Sequence, residues 1–214
     1  MAISLQNLAG TNVLEVDGAF KAARVSLRPL EALGWNSVGA KSSGLTSIAA
    51  AAPLFSFRNM SANPILVRRA GVGFITTTAF TAPQAVDFGL QVARAFTVSD
   101  TGGTPIALTG NNGKHRTSLA TSSSIDCRIA ASAALVAGSK TLDANHLGMV
   151  AGYSAGVGVT ITPAPDNLFQ HDAGDYPLVL AQNEGFNITN LTAIATGGGG
   201  LLFVNFEFAE AASY

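Results

Sequence analysis

Residues 86–98 read VDFGLQVARAFTV, and their apolar side chains recur at every second position. Val86, Phe88, Leu90, Val92, Phe96 and Val98 fall on one face, with Arg94 the single break, while Asp87, Gly89, Gln91, Ala93, Ala95 and Thr97 fall on the other. Successive side chains of a β-strand point to opposite faces, so this period of two predicts a strand with one row turned into a core. The C-terminal stretch repeats the pattern: Leu202, Val204, Phe206 and Phe208 alternate with Phe203, Asn205, Glu207 and Ala209. It predicts a second core strand close to the end of the chain.

Working outward, residues 65–80, ILVRRAGVGFITTTAF, are rich in Val, Ile and Thr, which favour strands. The glycines at 71 and 73 suggest a bulge there or the close approach of another backbone. Shorter strand candidates are 54–58, 125–130, 157–161, 176–181 and 186–194, and helical periodicity is scarce. The gaps between candidates are short and rich in turn residues, which favours antiparallel neighbours because parallel strands need long crossovers. The expected class is all-β, an antiparallel sandwich.

Three segments interrupt this pattern. Residues 99–124, SDTGGTPIALTGNNGKHRTSLATSSS, hold turn residues without a sustained period, and loops of that length usually carry contacts or function. GGGG at 197–200 lies between two strand candidates and reads as a hairpin end. Residues 1–40 mix short apolar runs with charges and read as an extended arm and lead-in to a domain over 41–214. An amphipathic helix over 15–27 is the rival reading, weakened by Gly18 and the β-branched residues near it.

Only 12% of the residues are charged, about half the share usual in a soluble domain, and the net charge is −1. A chain so neutral offers no field for a polyanion, so a nucleic-acid partner is disfavoured. No run approaches the roughly 20 apolar residues of a membrane helix. Residues 1–10, MAISLQNLAG, lack the basic and apolar regions of a secretory leader, and the expectation is a chain made in the cytosol and left unprocessed. The single cysteine, Cys127, excludes an internal disulfide and sits in a strand candidate, where burial is the simpler role. A surface with so few charges suits a protein that hides much of itself in an assembly.

Catalytic and ligand-binding signals are sparse. GNNGKHRT at 110–117 lacks the glycine spacing and the Ser or Thr after Lys of a phosphate loop, and reads as a turn. His115, His146 and His171 share no ligand spacing. HDAGD at 171–175 groups His171, Asp172 and Asp175, donors for a cation that also make an ordinary turn. No nucleophile elbow is present; HDAGD and Glu184 are the least poor candidates for a glycan-cleaving enzyme. The sequons at Asn59, Asn187 and Asn190 matter only in a secretory pathway. Trp35 and the twelve phenylalanines read as core rather than as a ligand groove.

Six segments, TNVLEVDGAFKAARVSLRPLE, PILVRRAGVGFITTTAFTAPQAVDFGLQVARAFTV, LTGNNGKHRTSL, DCRIAASAALVAGSKTLD, YPLVLAQNEGFNI and VNFEFAEAASY, together resemble tailed-bacteriophage virion structural proteins of the head decoration or cement type. The resemblance covers most of the chain and rests on pattern and segment order. It implies a jelly-roll-like β-sandwich, a homotrimer, and an arm or loops that grip the major capsid protein on the outside of the head. It supplies no catalytic residue, no cofactor and no metal, and implies neither a nucleic-acid nor a membrane partner. The arm residues expected to make the grip are apolar Val13, Val16, Phe20 and Leu27 with charged Glu15, Asp17, Arg24, Arg28 and Glu31. Synthesis in the host cytoplasm and residence on the capsid surface follow from the same expectation. A tail or fibre module that binds host carbohydrate is the alternative.

Overall fold

The computed structural model describes residues 15–16, 23–24, 34–108, 113–115, 124–154, 166–171 and 177–211. The chain divides into two compact units, 1–33 and 34–214. In the first, β1 (Glu15–Val16) and β2 (Ala23–Arg24) pair antiparallel, Glu15 opposite Arg24 and Val16 opposite Ala23. This pairing sets two short stretches of the expected arm side by side as strands.

The second unit contains two antiparallel sheets, and no helix occurs among its described residues. One sheet is built from β3 (Asn36–Lys41), β5 (Ile65–Thr78), β11 (Asp166–Gln170) and β14 (Gly199–Glu210), in the order β11-β5-β14-β3. A short strand, β12 (Leu178–Leu180), extends it beside β5. The other sheet runs β10-β6-β13-β4-β8-β7. Its members are β4 (Pro53–Asn59), β6 (Gln84–Arg94), β7 (Thr104–Pro105), β8 (Ile125–Ile129), β10 (Gly148–Ser154) and β13 (Glu184–Asn190), with β9 (Thr141–Leu142) beside β6. The lead-in expected to run to residue 40 thus includes most of β3, which pairs along β14 from Asn36 opposite Phe208 to Lys41 opposite Phe203.

Alternation explains which face of each sheet is dry. Val86, Phe88, Leu90 and Val92 of β6 are buried on one face, and Leu202, Val204, Phe206 and Phe208 of β14 on another, as the sequence predicted. The two rows belong to one apolar cluster that also takes Phe55 and Phe57 of β4 and Phe186 of β13. Phe206 touches Phe55, Phe57 and Phe186 with ring centroids 5.4, 5.5 and 6.2 Å apart, so the aromatic rings of the two sheets interlock. Edge-to-face pairs of this kind add about 0.5–1.5 kcal/mol beyond the area they bury.

The bulge expected at the glycines of β5 lies elsewhere. Gly71 and Gly73 pair regularly with Asn205 and Phe203, while Arg68 and Thr77 are the residues left without partners along β14. The bulge at Arg68 changes which positions face inward: Ile65 and Val67 are buried before it, Ala70, Val72 and Phe74 after it. One extra residue shifts a strand by half its period, and here it keeps a fourteen-residue strand facing the core through a change of parity.

Two further expectations are corrected. Val98 is 55% exposed, although Phe96 is fully buried. Strand β6 ends at Arg94, and Ala95 takes a left-handed conformation (φ 46°), so the alternation stops before Val98. The four glycines do not close a hairpin. Gly197 and Gly198 lie between β13 and β14, and Gly199 and Gly200 open β14; the two strands belong to different sheets, so the chain crosses from one sheet to the other before them. A Cβ on Gly198 would strike the Phe80 ring, and one on Gly199 the Leu45 carbonyl, which requires glycine at both positions.

Candidate functional site

Of the residues expected to grip a capsid, Val13, Asp17, Phe20, Leu27, Arg28 and Glu31 lie outside the described residues. Glu15, Val16 and Arg24 fall in the β1–β2 pair. The candidate surface that the second unit offers is the edge strand β10, which sequence reasoning missed. Its pairing sets Met149 opposite Gly89, Ala151 opposite Asp87 and Tyr153 opposite Ala85, all on one face of the sheet. Met149 is 65% and Tyr153 59% exposed, and Leu147 just before them is exposed too. The signal was present as a period of two, but with the large residues on the outward phase and Gly148 and Gly152 on the other it did not resemble a core strand.

Local interactions keep this face apolar. The Asp87 carboxylate accepts hydrogen bonds from the Thr192 backbone N–H (2.7 Å) and hydroxyl (2.9 Å), which ties down the one acid in the patch. The His146 ring lies over Gly89, where a Cβ would collide with it. At the start of β10 a Cβ on Gly148 would overlap the Leu168 carbonyl of β11, so the edges of the two sheets close on each other at that point. Leu147, Met149 and Tyr153 thus form an exposed apolar row at the end of the seven-stranded sheet.

The residues considered for chemistry have structural surroundings. Glu184 accepts from Arg94 Nη1 (2.7 Å) and from the Ala181 backbone N–H (2.9 Å), and Arg94 also bridges to Asp143 (3.4 Å). Cys127 is buried in β8, and loss of solvent, reinforced by Asp126, pushes its thiol well above the ordinary range. His171 is buried with its backbone N–H bonded to Arg68 (2.8 Å), while 172–175 of HDAGD lie outside the described residues. Of GNNGKHRT, Gly113 to His115 run along β3: Gly113 accepts from the Ser37 N–H (2.7 Å), and His115 Nε2 bonds the Ser37 hydroxyl (2.6 Å). Among the described residues no three His, Cys, Asp or Glu side chains converge as metal ligands. No helix there is long and apolar enough to cross a membrane. Trp35 is buried beneath the Arg68 guanidinium, 5.9 Å from its ring centre.

The three sequons are buried. Asn59 donates to Asn63 and Leu180 carbonyls (2.9 and 3.0 Å), Asn190 to Ala49 and Thr192 carbonyls (2.8 and 3.0 Å), and Asn187 to a buried acid. These amides hold loops to the sheet, a role that spacing alone does not reveal. Comparison of the chain with protein-family models, curated proteins and solved structures finds no match.

Proposed function

We propose that this is a non-enzymatic assembly protein of a bacteriophage virion, a head decoration protein that binds the major capsid protein and associates with its own copies as a trimer. The observation that carries the reading is the exposed apolar row of edge strand β10, Met149 and Tyr153 at its centre. Such an exposed apolar row suits burial against a neighbouring subunit. The 12% charge content fits a surface much of which is covered in an assembly.

The finer fold proposed with this function is a jelly roll. Let β3, β4, β5, β6, β10, β11, β13 and β14 be eight successive strands. The first then neighbours the eighth and the third the sixth in one sheet, and the second neighbours the seventh and the fourth the fifth in the other. This is the order left when an antiparallel ribbon folds over into two Greek keys, an architecture used by viral capsid domains and also by lectins and cupins. Fold analogy supports the virion context without assigning a residue to it.

The test is the mass of the purified chain by light scattering, followed by co-sedimentation with heads that lack it. A trimer that saturates heads in fixed stoichiometry, and loses that binding in Met149→Asp/Tyr153→Asp or on deletion of residues 1–31, is the expected result. A monomer that ignores heads, or antibody label on tail tips with saturable glycan binding, overturns it in favour of the fibre reading.

A further inference from the structure

The stretch that follows β6 and the stretch that precedes β9 meet on the outer face of the seven-stranded sheet, where a buried polar contact joins them to β13. Asp100 is 1% exposed, and its two carboxylate oxygens have different partners. Oδ1 accepts from Lys140 Nζ and from the Gly138 backbone N–H (2.7 Å); Oδ2 accepts from Asn187 Nδ2 (2.9 Å). Asn187 is fully buried in β13, and its Oδ1 accepts no hydrogen bond. The Lys140 side chain is 5% exposed, with Nζ 4.6 Å from the centre of the buried Phe96 ring. A lysine amine and an asparagine carboxamide are thus held on the two oxygens of one carboxylate, in a dry pocket with an aromatic wall.

We propose that Lys140 and Asn187 become joined by an intramolecular amide bond, with Asp100 as the group that moves the proton. Lys140 passes a proton to Asp100 Oδ1, which also removes two charges from a site where burying them is costly. The neutral amine is then a nucleophile, as lysine is in other covalent reactions. Its lone pair attacks Asn187 Cγ, and the C=O electrons move to Oδ1. The protonated Asp100 gives its proton to Nδ2, the Cγ–Nδ2 bond breaks as the carbonyl re-forms, and the proton that Nζ sheds on becoming an amide passes through Asp100 to the departing ammonia. The Nζ–Cγ bond is made, one carboxamide nitrogen leaves as ammonium, and Asp100 ends as the carboxylate. No oxidant or cofactor takes part. Asp100 starts as the carboxylate: burial pushes its carboxyl up, but the bonds from Gly138, Lys140 and Asn187 outweigh this and leave it below the ordinary range, so the oxygen that takes the proton is free of one at the outset.

Assigning the lysine to the Asp100 carboxyl instead would remove water and leave no other acid among the contacts named to carry the proton. With Asn187 as the electrophile every group in the cluster has a task. The product ties the stretch before β9 covalently to β13, a central strand of the sandwich, a staple in a chain whose lone cysteine excludes an internal disulfide.

The intact mass of the purified full chain tests this, compared with the mass calculated from its sequence after allowing for removal of Met1. The expected mass is lower by one ammonia. Residues 141–214 contain no Lys or Arg, so trypsin acting on the unfolded chain should leave 129–214 as one piece, because an acylated Lys140 is not a cleavage site. A chymotryptic fragment joining Lys140 to Asn187 should carry the same deficit. Lys140→Arg keeps a cation beside Asp100 and Asp100→Asn keeps the shape; each, folded by circular dichroism, should show its full calculated mass and a lower melting temperature. The proposal is overturned by a wild-type chain of full calculated mass cut at Lys140, and equally by an ammonia loss that maps within a single peptide. A loss of water with Lys140 joined to Asp100 overturns the assignment to Asn187.

Discussion

Phe57 of β4 and Phe206 of β14 meet edge to face, with ring centroids 5.5 Å apart and ring planes at 71°. The two residues belong to different sheets, and both are buried in the cluster that joins them. Removing the Phe206 ring leaves a cavity bordered by Phe55, Phe57, Phe186 and Phe208. Phe206→Ala is expected to lose about 3–5 kcal/mol of stability in urea unfolding, and Phe206→Leu less. A loss below about 1 kcal/mol for the alanine variant would mean that the sheets do not pack through this ring.

Gly148 and Gly44 give opposite expectations for the same change. A Cβ at Gly148 overlaps the Leu168 carbonyl, whereas one at Gly44 meets nothing within 4 Å. Gly148→Ala must push β10 from β11 and should lower the melting temperature. Gly44→Ala should leave it unchanged or stabilise by up to about 1 kcal/mol, through the unfolded chain. Equal effects of the two variants would refute the close approach of the sheet edges at β10.

Cys127 should be silent toward thiol reagents in the folded chain. Its thiol is buried and its pKa is raised by that burial, so the reactive thiolate is scarce and shielded. The expectation is labelling by a maleimide only after denaturant is added, followed by mass spectrometry. Rapid labelling of the native protein would place Cys127 at the surface.

Asp100 makes stability depend on acid. Its carboxyl lies lower in the folded chain than the unfolded value of 3.8, because the bonds from Gly138, Lys140 and Asn187 together outweigh the upward push of burial. Folding therefore favours the ionised form. The resulting stability is complete above the unfolded value and is lost as pH falls through the folded one. Working in the Lys140→Arg background excludes any amide and preserves a cation. There Asp100→Asn should be the less stable chain near pH 7, with a gap that narrows as the pH falls below 3.8. A gap independent of pH would show that the carboxylate is not held ionised.

The strands legible in the sequence are those whose surroundings repeat with their own period. β6 and β14 each bury one continuous row, so their apolar residues alternate in the sequence as they do in space. β10 was not legible because its large side chains face outward, and β3 because its short run, NSVGAK, carries one large apolar residue. The position of the bulge, at Arg68 rather than at the glycines that suggested a bulge or a close backbone approach, was not legible, since register is fixed by β14 from far along the chain. The acid–lysine–amide cluster was equally hidden. Asp100 read as part of a loop and Asn187 as a sequon in a strand candidate, Lys140 carried no signal, and nothing in their spacing brings them together.

The sequence by itself determined an all-β chain with few charges, no internal disulfide, and inward rows on its two longest alternating runs, because those properties depend on side chains and a local period. The tertiary structure alone decided which strands are neighbours, where Gly148 is forced, and that the Asp100 carboxylate bridges Lys140 and Asn187. Those are pairings between residues far apart in the chain, and they come into being only when the two sheets close over a common core.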